Sequence, residues 1–493
     1  MKQFSSTTIL DKLFSSEFFK DIDTAALVKQ YNISSGLRVA AAAEKLTVLP
    51  IIQAGTIISN IPPEGILINA AGQYEFSNDI DWTPLSPCPA ITIQADNVVL
   101  DLKGYTLQAN IKDTGSNYTG IEINEGSTVT VQNGTLKNMC YYGLSATSVF
   151  QLALNNIVID GLAYQNVQTK LATPCGFFID TSQNFSVQNC TVKNISVTSA
   201  SCAGIQVIES VNGTISGCNL SDFVNYDGAV QGFSYLASLA IKTSGCGCVD
   251  FQSHYLGETQ TSGHTVLGFI PILCVELIFE NCSSTGMTGC CDDCHGMSIF
   301  LDAYIEVTNF TALNVIDGIT PANTGAKATG LEVYGIGVTI NNCSVENITA
   351  IVPQDLQSAG FSACGMQIVF NNCTAKNVIV TNAEGQPTTD VGYGAGFGWA
   401  PDPRSPFKDW AANAVTYNQC TATDCQLGFD TWFHTDSIWE NISAPGCPVF
   451  ILVQPQGTAR TLSIDKCSES CDGLYHEVTI NNIAANNTYP PIE

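Results

Sequence analysis

Short runs of alternating apolar and polar residues recur along most of this chain. Many close on one phrase, apolar–x–apolar–x–Asn–Cys–Ser/Thr–apolar–x–Asn. The clearest copies are Phe185–Asn194 (FSVQNCTVKN), Val338–Asn347 (VTINNCSVEN) and Ile368–Asn377 (IVFNNCTAKN). Looser copies include Val129–Asn138, Gly213–Asp222, Ile305–Asn314, Val415–Asp424 and Val478–Asn486. Marked by the first Asn or its equivalent, the copies fall at 133, 156, 189, 217, 281, 309, 342, 372, 419, 441 and 481, most of them 22–33 residues apart. A recurring period in this range signals stacked coils.

The alternation predicts half-buried strands. An Asn beside each strand tolerates a tight bend and can bond along a ladder of amides. Stacked coils set equivalent residues about 4.8 Å apart, the ordinary inter-strand spacing. The repeats then pair edge to edge into parallel sheets, with Val, Ile, Leu and Cys turned into one core.

On these phrases the chain resembles the right-handed parallel β-helix proteins of the pectin-lyase-like superfamily, over roughly residues 64–487. The resemblance is architectural, and the phrases carry no catalytic residue. It implies an all-β fold, a single-stranded right-handed parallel β-helix (solenoid) with a short N-terminal helical cap. Residues 1–63 read as that cap or arm and a lead-in, because Phe14, Phe18, Phe19, Ile22, Ala26 and Leu27 recur at helical spacing. The phrase fades near 223–275 and again at 390–414, which read as excursions from the solenoid, and 488–493 form a tail. Long excursions of this kind often carry binding sites.

Charged residues are only 13% of the chain, and acids outnumber bases 44 to 18. So acidic a protein is unsuited to nucleic acid, which is gripped through many Lys and Arg contacts to phosphate. A groove for polyuronate meets the same objection unless calcium bridges the carboxylates. The opening residues Met1–Asp21 do not read as a secretory signal. No stretch reads as a bilayer span, since Val39–Ile58 is broken by Glu44, Lys45, Pro50 and Gln53. The 21 cysteines are many for a reduced compartment. Sequons at Asn189, Asn194, Asn281, Asn309, Asn342, Asn347, Asn372 and Asn441 mostly coincide with the repeat Asn, so turn chemistry explains them as well as glycans do.

Candidate chemistry is sparse. Cys290, Cys291, Cys294 and His295 crowd around CCDDCH, where a zinc site competes with a disulfide-stapled loop; Cys246 and Cys248 could complete either. Cys190, Cys218, Cys282, Cys343, Cys373 and Cys420 share one position in the repeat, which predicts a stacked thiol ladder in the core. Polygalacturonase-like enzymes carry Asn-Thr-Asp, Asp-Asp, Gly-His-Gly and Arg-Ile-Lys; here Asp292-Asp293 alone matches. Arg404-Ser-Pro406 and Asp402-Pro403-Arg404 match lyase and epimerase motifs only in part. For an enzyme, the candidate catalytic residues are Asp402, Asp430, His434 and Asp436, with Trp399, Trp432 and Trp439 as candidate sugar platforms.

The sparse charge and missing glycanase motifs favour a non-catalytic structural or surface protein, a virion outer-layer or fibre component or an adhesin-like rod. Its partners would be proteins or further copies of itself, and its place a virion or extracellular surface. The alternative is a carbohydrate-active enzyme, a polysaccharide lyase, glycoside hydrolase or epimerase, with a lateral groove built from 390–436. Neither reading calls for a resident cofactor, although a lyase would take calcium.

Overall fold

Two left-handed backbone positions, five residues apart, underlie the repeated phrase. Asn189 and Asn194 have φ of 51° and 59°, Asn342 and Asn347 of 53° and 59°, and Asn372 and Asn377 of 51° and 52°. Asn visits this region at low cost, so each pair turns the chain between successive strands. Where Asn is absent, Gly217 and Asp222 take the same places at φ 62° and 61°.

The computed structural model describes residues 51–481 apart from 54, 166–172, 199–200, 227, 255–263, 291–292, 319–326, 352–357, 389–392, 399–411, 432–433, 436, 454–461, 466–471 and 474–477. The expected helical cap and most of the 390–414 excursion lie outside them. The chain forms two compact units, Met1–His264 and Thr265–Glu493. In each, the strands pair in parallel with those of the preceding and following coils.

In the first unit, Ser201–Ile208, Val211–Ser216 and Asn219–Asn225 make one coil. Ala229–Leu236, Leu239–Ser244 and Gly247–Ser253 pair with them in the next, 28 residues on. The coil therefore continues through residues where the phrase has faded in sequence. In the second unit, Asp293–Ala303, Lys327–Ile336 and Ser358–Met366 pair in order within one sheet, here called the first sheet.

The first sheet carries a repeat of its own, Gly–apolar–x–apolar. It runs through Gly120, Gly143, Gly176 and Gly204 in the first unit and Gly296, Gly330, Gly360 and Gly396 in the second. A Cβ at Gly330 would stand 2.6 Å from a Val345 methyl and 2.7 Å from the Gly360 carbonyl. The glycines thus let this sheet close on the one it faces. They also shift the alternation, because Gly and the apolar residue after it both turn inward.

The amide ladder forms as expected: Asn372 Nδ2 donates to Asn342 Oδ1 at 2.9 Å, and Asn377 to Asn347 at 2.8 Å. Cys190, Cys218, Cys343, Cys373 and Cys420 are buried thiols at one core position. Cys246 extends their row, its sulfur accepting the Cys218 N–H at 3.4 Å. Ring stacks continue the core, with Phe361–Phe397 at 4.9 Å and Phe397–Phe429 at 5.1 Å.

Candidate active site

A charged group sits on the outward face of the first sheet in the second unit. On Asp293–Ala303 a Cβ at Gly296 would meet Ala312 Cβ at 2.7 Å across the coil, so alternation with a one-residue shift puts Cys294, Gly296, Met297 and Ile299 on the inner face and Asp293, His295, Ser298 and Phe300 on the other. On Lys327–Ile336, Ala328, Gly330, Leu331 and Val333 turn inward, leaving Lys327, Thr329, Glu332 and Tyr334 outward. Register then stacks Asp293 on Lys327, His295 on Thr329, Ser298 on Glu332 and Phe300 on Tyr334.

The side chains converge. Lys327 Nζ forms an ion pair with Glu332 Oε1. Ser298 Oγ donates to Glu332 Oε2 at 3.1 Å. His295 Nε2 lies 3.8 Å from Glu332 Oε2 and 4.0 Å from Asp293 Oδ1. Lys327 Nζ also stands 5.9 Å above the Tyr334 ring. His295, Lys327 and Glu332 are 3%, 2% and 4% exposed.

Burial alone would raise the Glu332 pKa. The charges of Lys327 and His295, with hydrogen bonds from Lys327 and Ser298, outweigh it and hold the carboxyl below its ordinary value. Thr329 Oγ1, fully buried beside His295, has no hydrogen-bond partner among the described residues. The arrangement provides an imidazole between two carboxylates, one of them neutralised by an ammonium. That is acid–base machinery shielded from bulk water.

Sequence reasoning singled out His295, but as a metal ligand beside Cys290, Cys291 and Cys294. The zinc reading fails on geometry. Cys294 and His295 are adjacent on one strand, so their side chains leave opposite faces, Cys294 inward and His295 outward. Among the described residues, no group of three or more His, Cys, Asp or Glu side chains could hold a metal ion. Cys290, Cys246 and Cys248 are buried, and Cys291 lies outside the described residues.

Lys327, Glu332 and Ser298 were missed. Their signal was the Gly–apolar–x–apolar repeat, where charges replace the usual outward residues in LysAlaThrGlyLeuGlu.

The candidates near the C-terminus are placed differently. Asp430 is fully buried and accepts the Tyr393 hydroxyl at 2.9 Å. His434 is equally buried, with Nε2 at 2.9 Å from the Tyr417 hydroxyl. Trp439 is a core ring, 0% exposed and stacked 4.0 Å from Tyr417, so it offers no face to a sugar. Asp402, Asp436, Trp399 and Trp432 lie outside the described residues.

No family model matches the chain. No curated protein matches it either. Among solved structures it is similar to the A-module of the Azotobacter vinelandii mannuronan C-5 epimerase AlgE6, at 9% identity over 85% of this chain and 92% of that one, with a TM-score of 0.35. It is similar to a mutant tailspike protein of E. coli bacteriophage HK620 in complex with pentasaccharide, at 10% identity over 85% and 74%, TM-score 0.41. It is also similar to the catalytic domain of a GH87 α-1,3-glucanase with tetrasaccharides, at 12% identity over 91% and 70%, TM-score 0.30. With its successive coils paired in parallel, the chain is a parallel β-helix.

Identities this low speak to the fold alone. The expectation of a purely structural, non-catalytic rod is nevertheless corrected. The ground is its own first sheet, which buries His295, Lys327 and Glu332 together as a charged group. Among the described residues, no helix is long and apolar enough to cross a membrane.

Proposed function

We propose that this β-helix is a carbohydrate-active enzyme that moves protons at a saccharide through the charged group of its second unit. The observation that carries the reading is His295 Nε2 within 4.0 Å of both Asp293 and Glu332, with Lys327 paired to Glu332. In this reading His295 exchanges a proton with the sugar, and the flanking carboxylates hold the imidazolium that results. Lys327 and Ser298 fix the Glu332 carboxylate in place. Buried ionisable groups gathered on one sheet face are a recognised mark of catalytic sites. The saccharide must gain entry to a face that is enclosed in the free protein.

Glycans are then the partners, and places where polysaccharide is exposed are where the chain acts. Calcium is tested directly rather than assumed. The experiment is a polysaccharide panel scored for new reducing ends and for unsaturated products, with and without calcium. Product that forms with the native chain and falls at least about a hundredfold in His295→Asn, within the usual range for a proton-transfer group, supports the reading. Product that persists in His295→Asn and Glu332→Gln would place the chemistry elsewhere, and no product on any polymer would remove it.

A further inference from the structure

The structure assigns a thiol-modification site to Cys425 and Cys447 in the second unit, where exchange with a low-molecular-weight disulfide closes one whole coil into a covalent ring. The inference goes beyond the carbohydrate reading and uses none of the residues of the charged group.

Register stacks the two cysteines. Thr421 bridges Ser443 in parallel, 22 residues on. Ala422 N donates to Ser443 O at 2.9 Å, and Asp424 N to Pro445 O at 3.1 Å. Asp424 and Gly446 therefore share a left-handed corner, at φ 53° and 75°. They stack so closely that a Cβ on Gly446 would collide with Asp424 Oδ1. Cys425 and Cys447 each follow that corner, so one bend aims both side chains.

Their sulfurs repeat one geometry. Cys425 Sγ lies 3.9 Å from the Ala375 carbonyl oxygen, and Cys447 Sγ 3.7 Å from that of Ala422. Ala375 and Ala422 are themselves register partners. Equivalent Cα atoms of adjacent coils lie about 4.8 Å apart, inside the roughly 4.4–6.8 Å that a disulfide spans.

The column these cysteines continue is aliphatic before them. Val315, Ile348 and Val378 fill it in successive coils. Gln426 N donates to Val378 O at 3.2 Å, which sets Cys425 on Val378. Access also separates this pair from the Asn–Cys column. There Cys190, Cys218, Cys343, Cys373 and Cys420 are all buried, whereas Cys447 is half-buried and stands next to the buried Cys425.

Cys425 donates a hydrogen bond to Cys447, and this bond and burial push its own pKa well up. Cys447 is therefore the sulfur that reacts first. Its proton leaves to water, and its thiolate attacks one sulfur of the small disulfide. A mixed disulfide forms and one small thiolate departs. Cys425 then loses its proton and attacks the Cys447 sulfur, forming the Cys425–Cys447 bond and expelling the second small thiolate. Two protein thiols are oxidised, and one small disulfide is reduced to two thiols that take up the two protons. The ring so closed encloses Leu427–Asp430 and Ser437–Glu440.

The test treats the full native chain with glutathione disulfide, quenches it in acid and maps its peptides by mass spectrometry. We expect peptides joined through Cys425 and Cys447, separated again by dithiothreitol. Proteolytic cleavage between the two residues should slow by about tenfold or more. In Cys425→Val, which continues the aliphatic column, Cys447 should stop at the mixed disulfide with glutathione. Native Cys447 left unmodified, left as the mixed disulfide or joined to another cysteine overturns the inference. So does a linked chain that is cleaved as fast as the unlinked one. If Cys425→Val does not fold, the peptide map of the native chain decides alone.

Discussion

Lys327 and Glu332 stand five residues apart on one strand and still meet as an ion pair on the same face. An odd separation in a regular strand puts side chains on opposite faces. Gly330 and Leu331 both turn inward, shifting the alternation by one and bringing the two charges together. The same shift at Gly296 brings Ser298 to the outward face that Asp293 and His295 occupy.

Gly330→Val therefore tests the packing and the site together. The added carbons would enter the space held by a Val345 methyl at 2.6 Å and the Gly360 carbonyl at 2.7 Å from the ideal Cβ. Overpacking of this kind costs roughly 1–3 kcal/mol. Urea unfolding should show that loss, and His295-dependent turnover should fall with it as the ion pair is displaced.

Glu332→Gln should cost about 3–5 kcal/mol, because it leaves Lys327 buried without its counter-charge. A Lys327→Met/Glu332→Leu double variant should recover most of this, as apolar replacements of buried pairs commonly do. The pH dependence has a definite sign. The folded Glu332 pKa lies below its ordinary 4.5. Its contribution is therefore complete above that value and is lost as pH falls through the folded pKa. Acid titration of unfolding should show a shallower stability loss below about pH 4.5 in the double variant than in the native chain. Identical acid limbs would count against the pair.

Asp302 should be replaceable with benefit. It is fully buried, and it accepts backbone N–H groups from Cys274 and from Phe300, the latter at 2.9 Å. Burial pushes its pKa well above the ordinary 3.8 although both donors oppose this. In the first unit Ser182, Ser210 and Ser238 also follow a left-handed residue, and Ser210 Oγ accepts the Ser182 N–H at 3.0 Å. A raised carboxyl pKa means the folded state loses stability as pH rises from the unfolded value toward the folded one. Asp302→Ser should then raise stability near pH 7 by on the order of 1 kcal/mol and change little near pH 3. Thermal unfolding at the two pH values checks it.

Asn372 does two jobs that two substitutions can separate. Its φ of 51° suits Asn or Gly, and its amide donates to Asn342 at 2.9 Å. Asn372→Gly keeps the turn and removes the bond, costing about 1 kcal/mol. Asn372→Ala also strains the turn and should cost a further 1 kcal/mol or so. Equal losses in chemical denaturation would mean that backbone conformation contributes nothing there.

The sequence by itself determined the coil. The spacing of apolar residues set the strands, the paired Asn positions set the bends, and the shared Cys position set part of the core, because each is a local demand that one coil can state alone. His295 and Asp293 were visible as unusual residues, but Lys327, Glu332 and Ser298 were not. Glu332 belongs to the next coil of the sheet, and the step between bonded Asn residues is 23 residues at Asn133–Asn156, 28 at Asn281–Asn309 and 33 at Asn314–Asn347. Such variation hides which residues stack. Only the tertiary structure decided that Asp293, His295, Lys327 and Glu332 share a face while Cys294 leaves it, since that depends on register between coils and on a one-residue shift at each glycine. The same dependence placed His434 and Trp439 inside the core, where the sequence had left a sugar platform and a filled core end both open.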